Sequence, residues 1–202
     1  MQTQEDNTLR IPNIEVHSFF SQWVKNVAKD KMRSLSRDQN AMAMSMFCNA
    51  VNGSFVEFQD QFRTIILRNL SSWLFGKSEH VHHAFVFGIF LAVAKESDYH
   101  VSIEEEGGNG RMDLLISQRN GDRAVIIEFK ISKEKKDMTA DAVKALEQIA
   151  DRQYRTKVHD GIVNLREFGI AFYKKECAIQ GAAFVRNRNM RVRRQWRSLK
   201  LK

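Results

Sequence analysis

The sequence predicts an α/β domain, with a mixed central sheet flanked by helices and an N-terminal helical region before it, and three observations carry that expectation. Residues 55–75 place Phe55, Phe58, Phe62, Ile65, Ile66, Leu70 and Trp73 at helical spacing. Two apolar, β-branched runs, MDLLIS and AVIIEFKI, flank Asn120-Gly121, a pair that tolerates positive φ and signals a tight hairpin. The order of patterns along the chain is helices, three strands, one helix and two strands.

Residues 1–16 hold the only proline, Pro12, and little periodicity, which suits a loose lead-in. A helical region over 17–76 follows, packed on the core. Its first part is helical in composition, and the Met-rich stretch NAMAMSMFCNAV reads as core filler rather than a metal or cofactor box. Its long amphipathic helix stops at Gly76. The core spans 77–185. It opens with a helix from about Ser78, the expected N-cap, to Lys95. The apolar segment AFVFGIFLAVA in that helix is too short to cross a bilayer and suits a buried core. YHVSIEEE alternates as a strand, and GGNG leads into the hairpin. After Lys130 come a charged loop and the helix DAVKALEQIADRQYRTKV, with Val143, Leu146, Ile149 and Ala150 expected inward. FGIAFY and AIQGAAFV read as the last two strands, and 186–202 as a basic tail.

The net charge of +8 is concentrated at that tail. The last 20 residues hold eight basic and no acidic side chains, Arg191, Arg193 and Arg194 among them, so the rest of the chain balances. Such a tail fits a grip on phosphate backbones, contact with an anionic surface, or a solubilising end. Trp196 within it can stack on a base or pack on the domain, and packing is the commoner use. Cys48 and Cys177 have no CxxC or zinc-type spacing, so neither a disulfide framework nor a structural zinc site is expected. The polar, acidic start MQTQEDNTLR is unlike a signal peptide. An intracellular, cytoplasmic setting without membrane contact is the expectation, with the chain complete or part of a larger parent.

The hairpin itself carries the chemistry. With Asn120 and Gly121 as a two-residue loop, paired residues sum to 241, which sets Asp113 opposite Glu128 and Arg111 opposite Lys130. Like charges directly opposed are destabilising. Met112, Leu114, Ile116, Val125, Ile127 and Phe129 form the other face, which reads as core and pins the register. Two opposed carboxylates beside a lysine make sense around a hard divalent cation; a solvated face of mixed charge is the plain alternative.

Glu128-Phe129-Lys130, with Asp113 opposite, gives D…ExK. The ordered segments EGGNGRMD, IIEFK, ALEQIADRQY and FGIAFYKK resemble the PD-(D/E)XK nuclease superfamily, in particular a bacterial branch often appended to AAA-type ATPase-like proteins. Glu106, Gly110, Arg111, Asp113, Glu128, Lys130, Gln148 and Tyr154 fall on that branch's motif positions, as do Glu79, His83 and Gly88 upstream. The likeness covers roughly residues 55 to 185. Met112 stands where the superfamily has its proline, and Gly107 where the branch often has serine; neither change removes a ligand.

The resemblance implies a restriction-endonuclease-like core and a metal-dependent nuclease acting on nucleic acid, DNA first. It implies Mg²⁺ or Mn²⁺ held by Asp113, Glu128 and the Phe129 carbonyl, with Lys130 orienting the attacking water and stabilising developing charge. Glu79 is a candidate extra ligand through water. Glu106 is another, or simply a solvated strand end. Gln148 reaches the site from the helix after the lysine strand; Arg111 contacts phosphate or pairs with nearby acids; Tyr154 is core or groove wall. His82 and His83 are adjacent and diverge on a helix, so zinc is not expected; His83 supports the site or packs. The alternative function is a weakly active or inactive nuclease-fold binding module within a larger effector or toxin. No motif specific to RNA recognition is present.

Overall fold

A computed structural model describes residues 37–69, 79–95, 97–186 and 196–199 of the 202. The expected lead-in, the Ser78 cap, the Gly76 stop and Arg191, Arg193 and Arg194 lie outside these residues. So do the side chains of Glu79, His83, Glu106 and Trp196.

Three helices come first: α1 (Arg37–Val51), α2 (Phe55–Asn69) and α3 (Glu79–Lys95). Ser54 caps α2 by accepting the Glu57 N–H through its Oγ at 3.3 Å. Asn49 ties the α1–α2 corner, accepting the Ser54 N–H and donating to Glu57 and Gln61. α2 turns Phe58, Phe62, Ile65 and Ile66 inward, as its spacing predicts. From residue 85 to 94 α3 is apolar all round and buries Val86, Phe87, Ile89, Phe90, Val93 and Ala94, as a core helix must. Among the described residues no helix is long and apolar enough to cross a membrane.

The strands are β1 (Tyr99–Gly107), β2 (Gly110–Gln118), β3 (Arg123–Ile131), β4 (Asn164–Tyr173), β5 (Glu176–Arg186) and β6 (Trp196–Leu199), in that order across one sheet. All neighbours are antiparallel except β3 and β4, which run parallel. A parallel pair needs a crossover, and α4 (Met138–Asp151) supplies it. Four residues of the basic tail thus extend the sheet as its last strand.

The sheet is buried on both faces. Leu114, Ile116, Val125, Ile127 and Phe129 pack with α1, α2 and α3. On the α4 side Leu115, Ala124, Ile126 and Leu165 pack with Ile149 and Tyr154. The charged face of the hairpin is therefore the mouth of a second core rather than an open surface. Met112 departs from the expected face and belongs to this second cluster.

The hairpin register is the expected one, with Leu114 opposite Ile127 and Ser117 opposite Ala124. Its turn is wider than two residues. β2 stops at Gln118 and β3 starts at Arg123, and neither Asn120 nor Gly121 has positive φ, so no type I′ turn forms. The reason lies in competing partners. The Arg119 N–H donates to the Asp98 carbonyl, and the Asp122 carbonyl accepts from Val163 and Asn164, which leaves the pair that would close a two-residue loop engaged elsewhere.

The inward face of α4 also differs from expectation: Ala142, Ala145 and Ile149 are buried, Val143 and Ala150 are exposed and Leu146 is intermediate. Gly169 on β4 explains this. A Cβ there would overlap the Ala142 carbonyl oxygen and the Leu146 nitrogen, so helix backbone lies directly on the strand and only small side chains fit between. We expect Gly169→Ala to push α4 off the sheet and cost roughly 1–3 kcal/mol. Urea denaturation measures this; an unchanged midpoint would mean that the helix does not sit so close.

Candidate active site

β3 and β4 are in register with Glu128 beside Gly169 and Lys130 beside Ala171. The position where α4 comes closest to the sheet is therefore the neighbour of Glu128, and Gln148 reaches across from the helix. Its Nε2 donates to Glu128 Oε1, and its Oε1 accepts from Lys130 Nζ at 2.9 Å. One amide thus orients both the acid and the lysine of ExK, and these two contacts fix which end of the amide is the donor.

Asp113 is fixed from the neighbouring strand. Its Oδ2 accepts the Phe129 N–H at 2.8 Å, and its own N–H donates to Glu128 Oε2 at 3.3 Å. A carboxylate thus bridges to the lysine strand just past the Leu114–Ile127 pair. Glu128 is 3 % exposed. Burial, and then the Asp113 charge, push its carboxyl from 4.5 up to about 8, against the pull of the Asp113 N–H, Lys130 and Arg152.

The carboxylates open onto a cleft of about 720 Å³. One wall is the end of β3 from Glu128 to Ile131 together with Lys133. The other is a stripe of α4 and its start: Asp137, Ala140, Asp141, Lys144 and Gln148. Sequence reasoning missed Lys133, Asp137, Asp141 and Lys144. For Asp137, Asp141 and Lys144 the signal was present, since steps of four, three and four residues leading to Gln148 put them on its helix face, whereas Lys133 sits in the loop after β3 and has no such spacing. The Asp141 carboxyl is held below its ordinary value, first because Lys144 hydrogen-bonds its charged form.

The turn between β1 and β2 is locked to the far end of the same helix. The Asn109 N–H donates to the Arg152 carbonyl at 2.8 Å, and Arg152 Nη1 returns a bond to the Asn109 carbonyl. Gly108 has a φ of +52°, and a Cβ there would overlap the Arg152 carbonyl, so the motif needs glycine on two counts. Tyr154 is buried in the wall, and its hydroxyl donates to the Arg111 carbonyl at 2.7 Å, two residues before Asp113. Burial, then the Glu128 charge, raise this phenol and keep it a donor. Arg155 next to it grips buried Glu167 with two bonds, 2.5 and 2.8 Å, and lies over Phe184.

The structure thus brings Asp113, Glu128, Phe129, Lys130 and Gln148 together at one mouth. Arg111 is exposed at the edge, with Glu106 opposite it across the β1–β2 pair. Among the described residues no group of three or more His, Cys, Asp or Glu side chains is assembled for a metal.

A mixed sheet with a crossover helix, and an aspartate and an ExK strand meeting at one end of its inner strands, define a nuclease-type α/β fold. Residues 77–181, just over half of the chain, match the family model of the PD-(D/E)XK nuclease superfamily, and the chain belongs to that superfamily. Members are usually hydrolytic nucleases and generally use divalent metals. No curated protein matches it.

The raised Glu128 carboxyl sets the pH behaviour of the metal-free protein. Because its folded value exceeds the unfolded one, its protonated form favours folding, and this contribution is fully present below about 4.5 and lost as pH rises through about 8. In EDTA, the stability difference between parent and Glu128→Gln should therefore move against the parent between about pH 5 and about pH 9. Denaturation midpoints across that range read the slope; parallel curves would contradict the shift.

Proposed function

We propose that the protein is a metal-dependent nuclease hydrolysing phosphodiester bonds of nucleic acid, with DNA as its substrate. The observation that carries this is the Asp113–Glu128–Gln148–Lys130 chain of hydrogen bonds at the cleft mouth. The donor set suits a hard cation: two carboxylates, one of them buried, with Phe129 lining the same cleft. Asp113, Glu128 and Phe129 would hold Mg²⁺ or Mn²⁺, with Glu79 and Glu106 as further contacts through water. Such a cation lowers the pKa of a bound water and offsets charge on the reacting phosphate.

The chain's own groups do the rest. Lys130, a compact point charge, stabilises the negative charge that develops on the phosphate. Gln148 keeps the ammonium beside the carboxylates, so the lysine need not be reordered during reaction. The Phe129 N–H fixes one oxygen of Asp113. Arg111 and the basic tail, including Arg191, Arg193 and Arg194, grip backbone phosphates outside the cleft.

Plasmid, linear duplex, single-stranded DNA and RNA, each with Mg²⁺, Mn²⁺ or EDTA, form the direct test. Metal-dependent cutting of DNA is expected, reduced at least roughly 10²–10³-fold in Lys130→Ala and lost in Asp113→Ala and Glu128→Ala at unchanged folding. Cutting confined to RNA would reassign the substrate, and no cutting by a folded parent would leave a binding module. A second readout needs no turnover. A cation must displace the Glu128 proton, so Mg²⁺ or Mn²⁺ should raise the melting temperature more above about pH 8 than near pH 6, and not in Asp113→Ala. Equal shifts in parent and variant would place the metal elsewhere.

A further inference from the structure

The loop leaving β3 carries three lysines whose surroundings differ. Lys135 Nζ lies 2.7 Å from Glu176, and Lys136 Nζ lies 2.7 Å from Glu134. On the facing helix Lys144 pairs with Asp141 at 3.0 Å. Lys133 is exposed, lines the cleft, and among the described residues has neither a hydrogen bond nor an ion pair. Between Lys130 and Lys133 the same wall presents Ile131, an apolar side chain left 39 % exposed.

We propose that Lys133 binds a backbone phosphate next to the scissile one on the same substrate strand, with Ile131 lying against the intervening sugar. The inference rests on the nuclease reading and extends it by giving the strand a path. Three residues of extended chain reach at most about 10 Å. Phosphates follow one another at about 3.4 Å along the axis of one duplex strand and farther apart than that through space because the strand winds, so a reach of up to about 10 Å takes in the phosphate adjacent to the one at Lys130. The opposite wall disfavours a polyanion, because Asp137 and Asp141 stand on it and Lys144 is engaged by Asp141. The strand is therefore held to the β3 wall, where a free ammonium loses no existing partner on binding. Lys135 and Lys136 would have to give up a carboxylate first.

The test is the affinity of a fluorescein-labelled DNA duplex and of its single strand, with Ca²⁺ and with EDTA, measured over a salt series beside plasmid cleavage. Lys133→Ala should weaken binding equally for unrelated sequences and reduce the slope of log K against log salt by about one. Lys133→Arg should keep the slope, and Lys135→Ala and Lys136→Ala should match the parent in both. If the parent cuts DNA while Lys133→Ala retains the parent's slope and affinity, the inference falls and the nuclease reading stands. A parent that neither binds nor cuts these probes overturns both.

Discussion

The architecture of the site depends on one missing side chain. Gly169 sits beside Glu128 in the parallel pair, and the absence of a Cβ lets the backbone of α4 rest on the strand at Ala142 and Leu146. From that seat Gln148, just over half a turn beyond Leu146, reaches both members of ExK. A helix held farther out by a larger residue would leave the Glu128 carboxylate buried without its amide donor. The same helix, at its other end, clamps the Gly108–Asn109 turn through Arg152, and the Tyr154 that follows it holds the Arg111 carbonyl. One rigid element thus aligns the strand bearing Asp113 with the strand bearing Glu128 and Lys130. Site geometry of this precision is better carried by packed helices and strands than by loops.

That alignment is bought against electrostatics. Two carboxylates side by side, one nearly sealed from water, repel each other and resist ionising together. The main-chain donors on Asp113 and Glu128 and the Gln148 amide relieve this only in part, since Glu128 still rises to about 8. A site built this way keeps unmet demand for positive charge at the cleft mouth. The same demand costs stability in the metal-free protein, as function-bearing sites often do.

Much of this was legible in the sequence, and the parts that were not share a cause. Element order and the 241 register from Leu114–Ile127 to Ser117–Ala124 follow from period-two alternation, a local property. The burial of Val86 to Ala94 in α3 follows from the apolar run FVFGIFLAVA. The errors came from neighbours distant in sequence. Asp98, Val163 and Asn164 take the hydrogen bonds that a two-residue turn at Asn120-Gly121 would need. Gly169 selects Ala142 and Ala145 over Val143 as the inward residues of α4. The second core, which turns a charged hairpin face into a cleft, needs a helix that a strand pattern does not announce. Gln148 could be placed on that helix from sequence, but its joint grip on Glu128 and Lys130 required the close seat at Gly169.

The fold alone does not argue for turnover, because the same scaffold can host binding without chemistry. The arrangement of charge argues further. A module that only bound a partner would be more stable with an apolar or amide side chain in place of buried Glu128, since replacing buried charge by well-packed neutral groups is often neutral or stabilising. Here the buried acid sits beside a second acid, is held by a glutamine that also holds a lysine, and faces a cleft of about 720 Å³. Each feature taken singly has a structural use. Together they hold an acid and an ammonium a few ångströms apart, with Gln148 between Glu128 and Lys130 and bonded to each. An acid and an ammonium kept separate by an intervening amide are what the proposed phosphodiester hydrolysis would call on, the acid toward a cation and the ammonium toward a phosphate.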